Sequence, residues 1–243
     1  YVIYRSDDAY TTPIYTGSAV PWDDASAVAG TTYNYKVIAK NTGQVNATSA
    51  ISAPSGDGYK KLATPSVSAS QGTSTLHVTV SGYNVTGADQ YVIYRSDDSY
   101  STPVYTGSAV PWDDTSAAAG TTYNYKVVAK NTGQVNATSA MSAASGDGYK
   151  KLVAPASFTA TASATPGQID FTWSTSTGAN QYELYSSTTS GGPYTSVGTA
   201  ASSPTSKSGF TSGTVYYFVV RARNTLQPSS ESADSGESSV MAP

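Results

Sequence analysis

The residues of this chain that could do chemistry are few, and its acids come in pairs. Asp7-Asp8 recurs as Asp97-Asp98, and Trp22-Asp23-Asp24 as Trp112-Asp113-Asp114. Two neighbouring carboxylates offer hard oxygens for Ca²⁺ or an acid and a base. Adjacent residues on a strand, however, project to opposite faces, and Asp at such places commonly caps a turn through its own backbone. Turn capping is the expected role, with Asp23, Asp24, Asp113 and Asp114 kept as weak Ca²⁺ candidates. The last third of the chain lacks both pairs, having Ser187-Thr188 and Pro204-Thr205 nearby, so a metal needed throughout is not expected. His77 is the single histidine and cysteine is absent. No second His exists for a relay or a ligand set, and alternation with Leu76 and Val78 predicts that His77 faces solvent. Three N-x-Thr sequons, at Asn46, Asn84 and Asn136, could carry glycans.

Composition narrows the classes further. Of 243 residues, 12% are charged and the net charge is −3, so no basic patch points to nucleic acid. No apolar run reaches the ~20 residues of a membrane span. Tyr is abundant at 20 residues, Phe scarce at 4. Outward tyrosines such as Tyr10, Tyr15, Tyr94, Tyr100, Tyr105 and Tyr217 could stack on sugars or on another subunit, or pair across strands within the sheet.

Internal repetition dominates the organisation. YVIYRSDDAY at Tyr1 returns as YVIYRSDDSY at Tyr91, and between 1–62 and 91–152 only eight positions differ. A third, diverged copy answers QYVIYRS with QYELYSS from Gln181 and GTTYNYKVVAKN with GTVYYFVVRARN from Gly213. Similar linkers, KLATPSVSAS from Lys61 and KLVAPASFTA from Lys151, place the boundaries at 1–62, 63–153 and 154–243. The first repeat lacks the counterpart of Ala63 to Gln90. Its predicted remedy is chain that continues upstream of Tyr1, with strand donation by another subunit as the alternative.

Period-two alternation marks half-buried strands throughout, and no segment keeps a helical period. Leu76, Val78 and Val80 share one face, as do Ile169, Phe171 and Trp173. Tyr123, Tyr125, Val127 and Ala129 alternate with polar or small neighbours, as Tyr216, Phe218, Val220 and Ala222 do. The predicted core holds Leu76, Val78, Val80, Ile93, Tyr125, Val127, Phe171, Trp173 and Phe218. The fold class is all-β, with about seven short strands in each ~90 residues, the signature of two-sheet sandwiches.

Two features resemble the fibronectin type III family over the whole chain. One is Gly120-x-x-Tyr123-x-Tyr125-x-Val127-x-Ala129-x-Asn131, with copies from Gly30 and Gly213; the other is Trp173 followed nine residues later by Tyr182. The resemblance implies immunoglobulin-like sandwiches of three plus four strands in Greek-key order. It also implies a tyrosine corner at Tyr33, Tyr123 and Tyr216, each hydroxyl bonding backbone a few residues upstream. The second repeat departs by having Val80 where the third has Trp173, which leaves its core to other residues, tyrosines among them.

These readings point to a non-catalytic structural or adhesive repeat region of a prokaryotic extracellular surface protein or fibre. Alternatives are a spacer of a secreted polysaccharide-degrading enzyme and a virion fibre or decoration protein. No cofactor is expected. The expected partners are neighbouring repeats of the same chain, identical subunits in a fibre, and glycans, with no nucleic acid and no membrane insertion.

Overall fold

The computed structural model describes residues 1–44 and 47–243, so the sequon at Asn46 lies outside the described residues. The first repeat supplies β1 (Val2–Arg5), β2 (Pro13–Thr16), β3 (Thr32–Tyr33), β4 (Tyr35–Ile38) and β5 (Gly58–Tyr59). The second supplies β6 (Ser68–Ala69), β7 (Val78–Ser81), β8 (Gln90–Arg95), β9 (Pro103–Gly107), β10 (Trp112–Asp114) and β11 (Tyr125–Lys130). The third supplies β12 (Thr159–Ala162), β13 (Gln168–Thr172), β14 (Gln181–Ser187), β15 (Thr195–Ala200), β16 (Thr205–Ser208), β17 (Val215–Arg223) and β18 (Ser238–Met241). The described helical segments are 3-10 turns of three residues, and no described helix is long and apolar enough to cross a membrane.

The chain forms two compact units. The first gathers Tyr1–Val67, Gly82–Val110 and Lys126–Ala144, and contains the sheets β2-β1-β4, β3-β5 and β11-β8-β9. The second gathers Ser68–Ser81, Pro111–Tyr125 and Ser145–Pro243, and contains β10-β7-β6 and both sheets of the third repeat.

In the third repeat, β12-β13-β16 faces β15-β14-β17-β18 across one core. The antiparallel register sets Phe171 opposite Ala160 and Thr205, and Leu184 opposite Val220. Alternation then sends Ile169, Phe171 and Trp173 inward to meet Tyr182, Leu184, Phe218 and Val220. Phe171 and Phe218 meet edge to face with centroids 4.9 Å apart, and Trp173 leans on Tyr182 at 5.2 Å. Each such side chain contributes roughly 1.5–3 kcal/mol by leaving water.

Leu76 corrects the core expected from sequence, for it is 72% exposed. It lies in a bend where its N–H donates to Ser74 Oγ, 2.9 Å away, and β7 begins two residues later. The pairing explains this. Val80 stands opposite Ala69 as Phe171 stands opposite Ala160, so Val78 and Val80 answer Ile169 and Phe171. A slip of two residues leaves every side chain on its own face, so alternation alone cannot detect it. Val78 and Val80 are fully buried, and Tyr83, also fully buried, packs edge-on against Tyr91 at 5.0 Å much as Trp173 packs against Tyr182.

After the penultimate strand the chain runs extended, and over 49–55, 139–145 and 232–235 serines at every third position take the place of a regular ladder. Ser142 donates its N–H to Val127 O, while its Oγ accepts from Val127 N–H, both at 2.9 Å. Ser139 does the same for Ala129 and Ser145 for Tyr125. Ser49, Ser52 and Ser55 repeat the pattern against Ala39, Val37 and Tyr35, and Ser232 and Ser235 against Ala222 and Val220. Buried backbone amides need partners, and here side chains supply half of them.

Candidate functional site: polar clusters and repeat junctions

The acid pairs are drawn into the protein's own hydrogen bonding. Arg5 grips Asp7 through Nε and Nη2 at 2.9 and 2.7 Å. Asp8 accepts from the N–H groups of Thr11 and Thr12, and Asp98 from those of Ser101 and Thr102, which is turn capping. Asp24 accepts from Arg5 Nη1, Tyr35 Oη, Ser26 Oγ and Ser26 N–H at 2.6–3.0 Å. Burial opposes its ionisation, but the bonds from Ser26, Arg5 and Tyr35 outweigh burial and hold it below the usual carboxylate range. Burial and the neighbouring Asp24 push the Tyr35 phenol up to about 12.

Asp114 is the fully buried counterpart of Asp24, taking Tyr125 Oη at 2.9 Å, Ser116 Oγ at 2.6 Å and the N–H groups of Ser116 and Ala117. Asp23 and Asp113 point outward, and Asp113 accepts from Thr79 Oγ1 at 2.8 Å. His77 is partly exposed, with Nε2 3.6 Å from Asp113. Among the described residues, no group of three or more His, Asp or Glu is placed to hold a metal ion.

The tyrosines close loops. The hydroxyls of Tyr33, Tyr123 and Tyr216 accept from the N–H groups of Val28, Ala118 and Thr211, each five residues upstream. A second set was not foreseen from sequence. Tyr91 and Tyr182 accept from Val85 and Ser176 N–H at 3.0 and 2.9 Å, tying down the loop before β8 and β14. Its signal was the Tyr that opens both strands after a Gly-containing turn. Tyr10 and Tyr100 lie beneath Lys36 and Lys126, with the ammonium 4.2 and 4.4 Å from the ring centroid. Tyr15 stacks on Trp22 at 4.8 Å. Asn84 and Asn136 are exposed.

Leu62 and Leu152, apolar in polar linkers, are expected from sequence to pack between successive repeats; the polar bonds and glycine contacts of the junctions were not read, and they repeat nearly atom for atom. The first lies wholly within the first unit, the second wholly within the second. Leu62 is 4% exposed and donates its N–H to Ala137 O at 2.8 Å; Leu152, fully buried, donates to Ser230 O at 2.8 Å. Asn131 Nδ2 donates to Gly87 O and Asn224 Nδ2 to Gly178 O, both at 2.7 Å. Gln134 Nε2 donates to Thr32 Oγ1, and Gln227 Nε2 to Thr122 Oγ1. The approach is so close that a Cβ on Gly87 would lie 2.2 Å from Ala29 O, and one on Gly178 2.1 Å from Ala119 O. At the corresponding end of the third repeat, Val215 replaces the threonine and Gly213 has open space around it.

The sheets of three and four strands, with a tyrosine corner opening the penultimate strand, define a fibronectin type III sandwich. Among solved structures, an Fn3-like protein from Clostridium thermocellum is 32% identical and covers 39% of this chain and 96% of that one, with a TM-score of 0.35. A two-domain fibronectin type III segment from chicken tenascin is 15% identical and covers 73% and 98%, with a TM-score of 0.49. No protein-family model and no curated protein matches the chain. The chain is built of tandem Fn3-like β-sandwich repeats.

Proposed function

We propose that this chain is a non-catalytic structural or adhesive repeat region of an extracellular surface protein or fibre, with repeats at 1–62, 63–153 and 154–243. The observation that carries this reading is the recurrence of one junction. A loose tether would need only a flexible linker. Here Leu62 and Leu152, two Gln–Thr bonds and two glycine contacts fix successive repeats the same way. Repeat arrays of this kind transmit geometry through nearest-neighbour contacts alone. The low charge and the engagement of Asp7, Asp8, Asp24, Asp98 and Asp114 in the protein's own hydrogen bonds accord with a passive role, and the exposed Asn84 and Asn136 suit glycosylation.

The test is the distance distribution across each junction. Cysteine is absent, so Ser18→Cys with Thr102→Cys, and Thr73→Cys with Thr165→Cys, give specific spin-label pairs. Double electron–electron resonance should give one narrow distribution for each pair. A broad distribution at either junction would overturn a fixed spacer.

A further inference from the structure

The outward face of the penultimate strand sets the first two repeats apart from the third. In β11 the buried Tyr125, Val127 and Ala129 alternate with Lys126, Val128 and Lys130, which stay half-buried on the other side. In the first repeat, Lys36 and Ile38 of β4 hold the same places, with Lys40 following, and Lys36 stands opposite Tyr4 of β1. Lys36 lies over the ring of Tyr10 at 4.2 Å, and Lys126 over that of Tyr100 at 4.4 Å. Both rings project from a loop that holds two consecutive residues at φ 59–63°. Strain of this kind persists where the surroundings impose it, and it collects at ligand-binding surfaces. The corresponding loop of the third repeat puts glycines, Gly191 and Gly192, at positive φ instead. The charges differ as well. Each arginine of the chain meets a carboxylate: Arg5 meets Asp7 and Asp24, Arg95 meets Asp97, Arg221 meets Asp234 and Glu231, and Arg223 meets Glu183 and Glu231. Among the described residues, Lys36, Lys40, Lys126 and Lys130 form no ion pair. In the third repeat, Arg221 and Arg223 stand where the second has Val128 and Lys130, and their acids neutralise that face.

We propose that the Lys–Tyr faces of the first two repeats bind an extended, carboxylate-bearing polysaccharide. This rests on the adhesive part of the function proposed above and names its ligand; it does not depend on the fixed junctions. Four residues along a strand span about 13 Å, so positions 126 and 130 offer sparse positive charge. Nucleic acid carries a phosphate about every 3.4 Å along each strand and calls for a denser basic surface. A polysaccharide with carboxylates on alternate sugars matches sparse lysines, and the apolar faces of its rings pack on tyrosine. Lysine brings a rotatable point charge that follows a flexible polymer, where arginine would impose a fixed fork. The half-buried Ile38 and Val128 give the lysine stems apolar surface to lie on while the ammonium groups stay in water. The chain as a whole carries a net charge of −3, so the attraction is local to these faces. Two such faces on one chain bind a long polymer more tightly than either alone.

The experiment titrates the full chain with hyaluronate, polygalacturonate, neutral dextran and oligothymidylate and follows the heat. Saturable binding of the carboxylated polymers is expected, weakening as salt rises from about 50 to about 200 mM, with none to dextran. Lys36→Gln, Lys40→Gln, Lys126→Gln and Lys130→Gln together should weaken hyaluronate binding at least about tenfold and flatten its salt dependence. Tyr10→Gly with Tyr100→Gly should weaken it about threefold and keep the salt dependence, because no charge is lost. The charge-matched linker set Lys60→Gln, Lys61→Gln, Lys150→Gln and Lys151→Gln should leave it unchanged. Three results overturn the proposal: neither carboxylated polymer saturates the chain, the linker set loses as much affinity as the face set, or oligothymidylate or dextran binds as tightly as hyaluronate. Narrow spin-label distances would survive any of these results, and broad distances would leave the binding intact, so the two readings fail separately.

Discussion

Trp173 is 6% exposed, and its indole Nε1 is a buried donor with no acceptor among the described residues. An unmet buried donor carries a desolvation cost of about 1–3 kcal/mol. Trp173→Phe removes that cost along with some volume, so its net destabilisation should stay under about 1.5 kcal/mol by denaturant midpoint, against ~3–5 kcal/mol for Trp173→Ala. The two buried-acid sites differ in a measurable way. Asp114→Ala removes the acceptor that Tyr125 Oη and two amides use in a fully buried place and should cost about 3 kcal/mol, whereas Asp24→Ala, in the more open first repeat, should cost closer to ~1 kcal/mol. Acid and alkali act on the first site in opposite senses. Folding lowers Asp24, so its stabilisation is present above the ordinary carboxylate range and is lost as pH falls through its lowered value. Folding raises Tyr35 from 10.0 to about 12, so its stabilisation is present below pH 10.0 and is lost as pH rises toward 12. Hydrogen exchange at 35–38 across both limits would show the two losses.

Strands here are set by neighbours as much as by sequence. Trp112–Asp114 is a strand because β7 lies beside it; Trp22–Asp24, identical in sequence, is not. The loops after β1 and β8 store strain. Ala9-Tyr10 and Ser99-Tyr100 occupy the left-handed region at φ 59–63°. That region costs residues with a Cβ about 1 kcal/mol or more. Ser99→Gly should therefore raise stability by about 0.5–1 kcal/mol, while Lys126 stays over Tyr100. The serine ladder gives the opposite outcome. Ser142→Ala leaves Val127 N–H, fully buried, without its acceptor and should cost about 1–3 kcal/mol, with faster amide exchange confined to that stretch.

At the scale of the whole molecule, the junctions are where a small change should alter geometry without unfolding a repeat. Gly178→Ala puts a Cβ 2.1 Å from Ala119 O, and Thr122→Val removes the acceptor of Gln227. Both should broaden the spin-label distances across the second junction and leave those across the first narrow. The alternation of Tyr, Val and Ala in Tyr123 to Ala129 and in Tyr216 to Ala222 was enough to establish an all-β class, because a half-buried strand shows its period directly in side-chain polarity. The near-identity of 1–62 and 91–152 established repetition, and the Asp-rich turns and inward tyrosines were legible because capping and loop closure are local. Three features were decided only by tertiary structure. The register of β7 was one, since a two-residue slip preserves alternation and only its partner strand tells Leu76 from Val78. The polar bonds of the junctions were another, since Gln134 reaches Thr32 and Asn131 reaches Gly87 across long stretches of chain that no local pattern connects, although the apolar Leu62 and Leu152 in polar linkers were legible as junction residues. The burial of the two near-identical copies was the third: Trp112–Asp114 pairs with β7 and Trp22–Asp24 pairs with no strand, which the sequence of the segment itself does not distinguish.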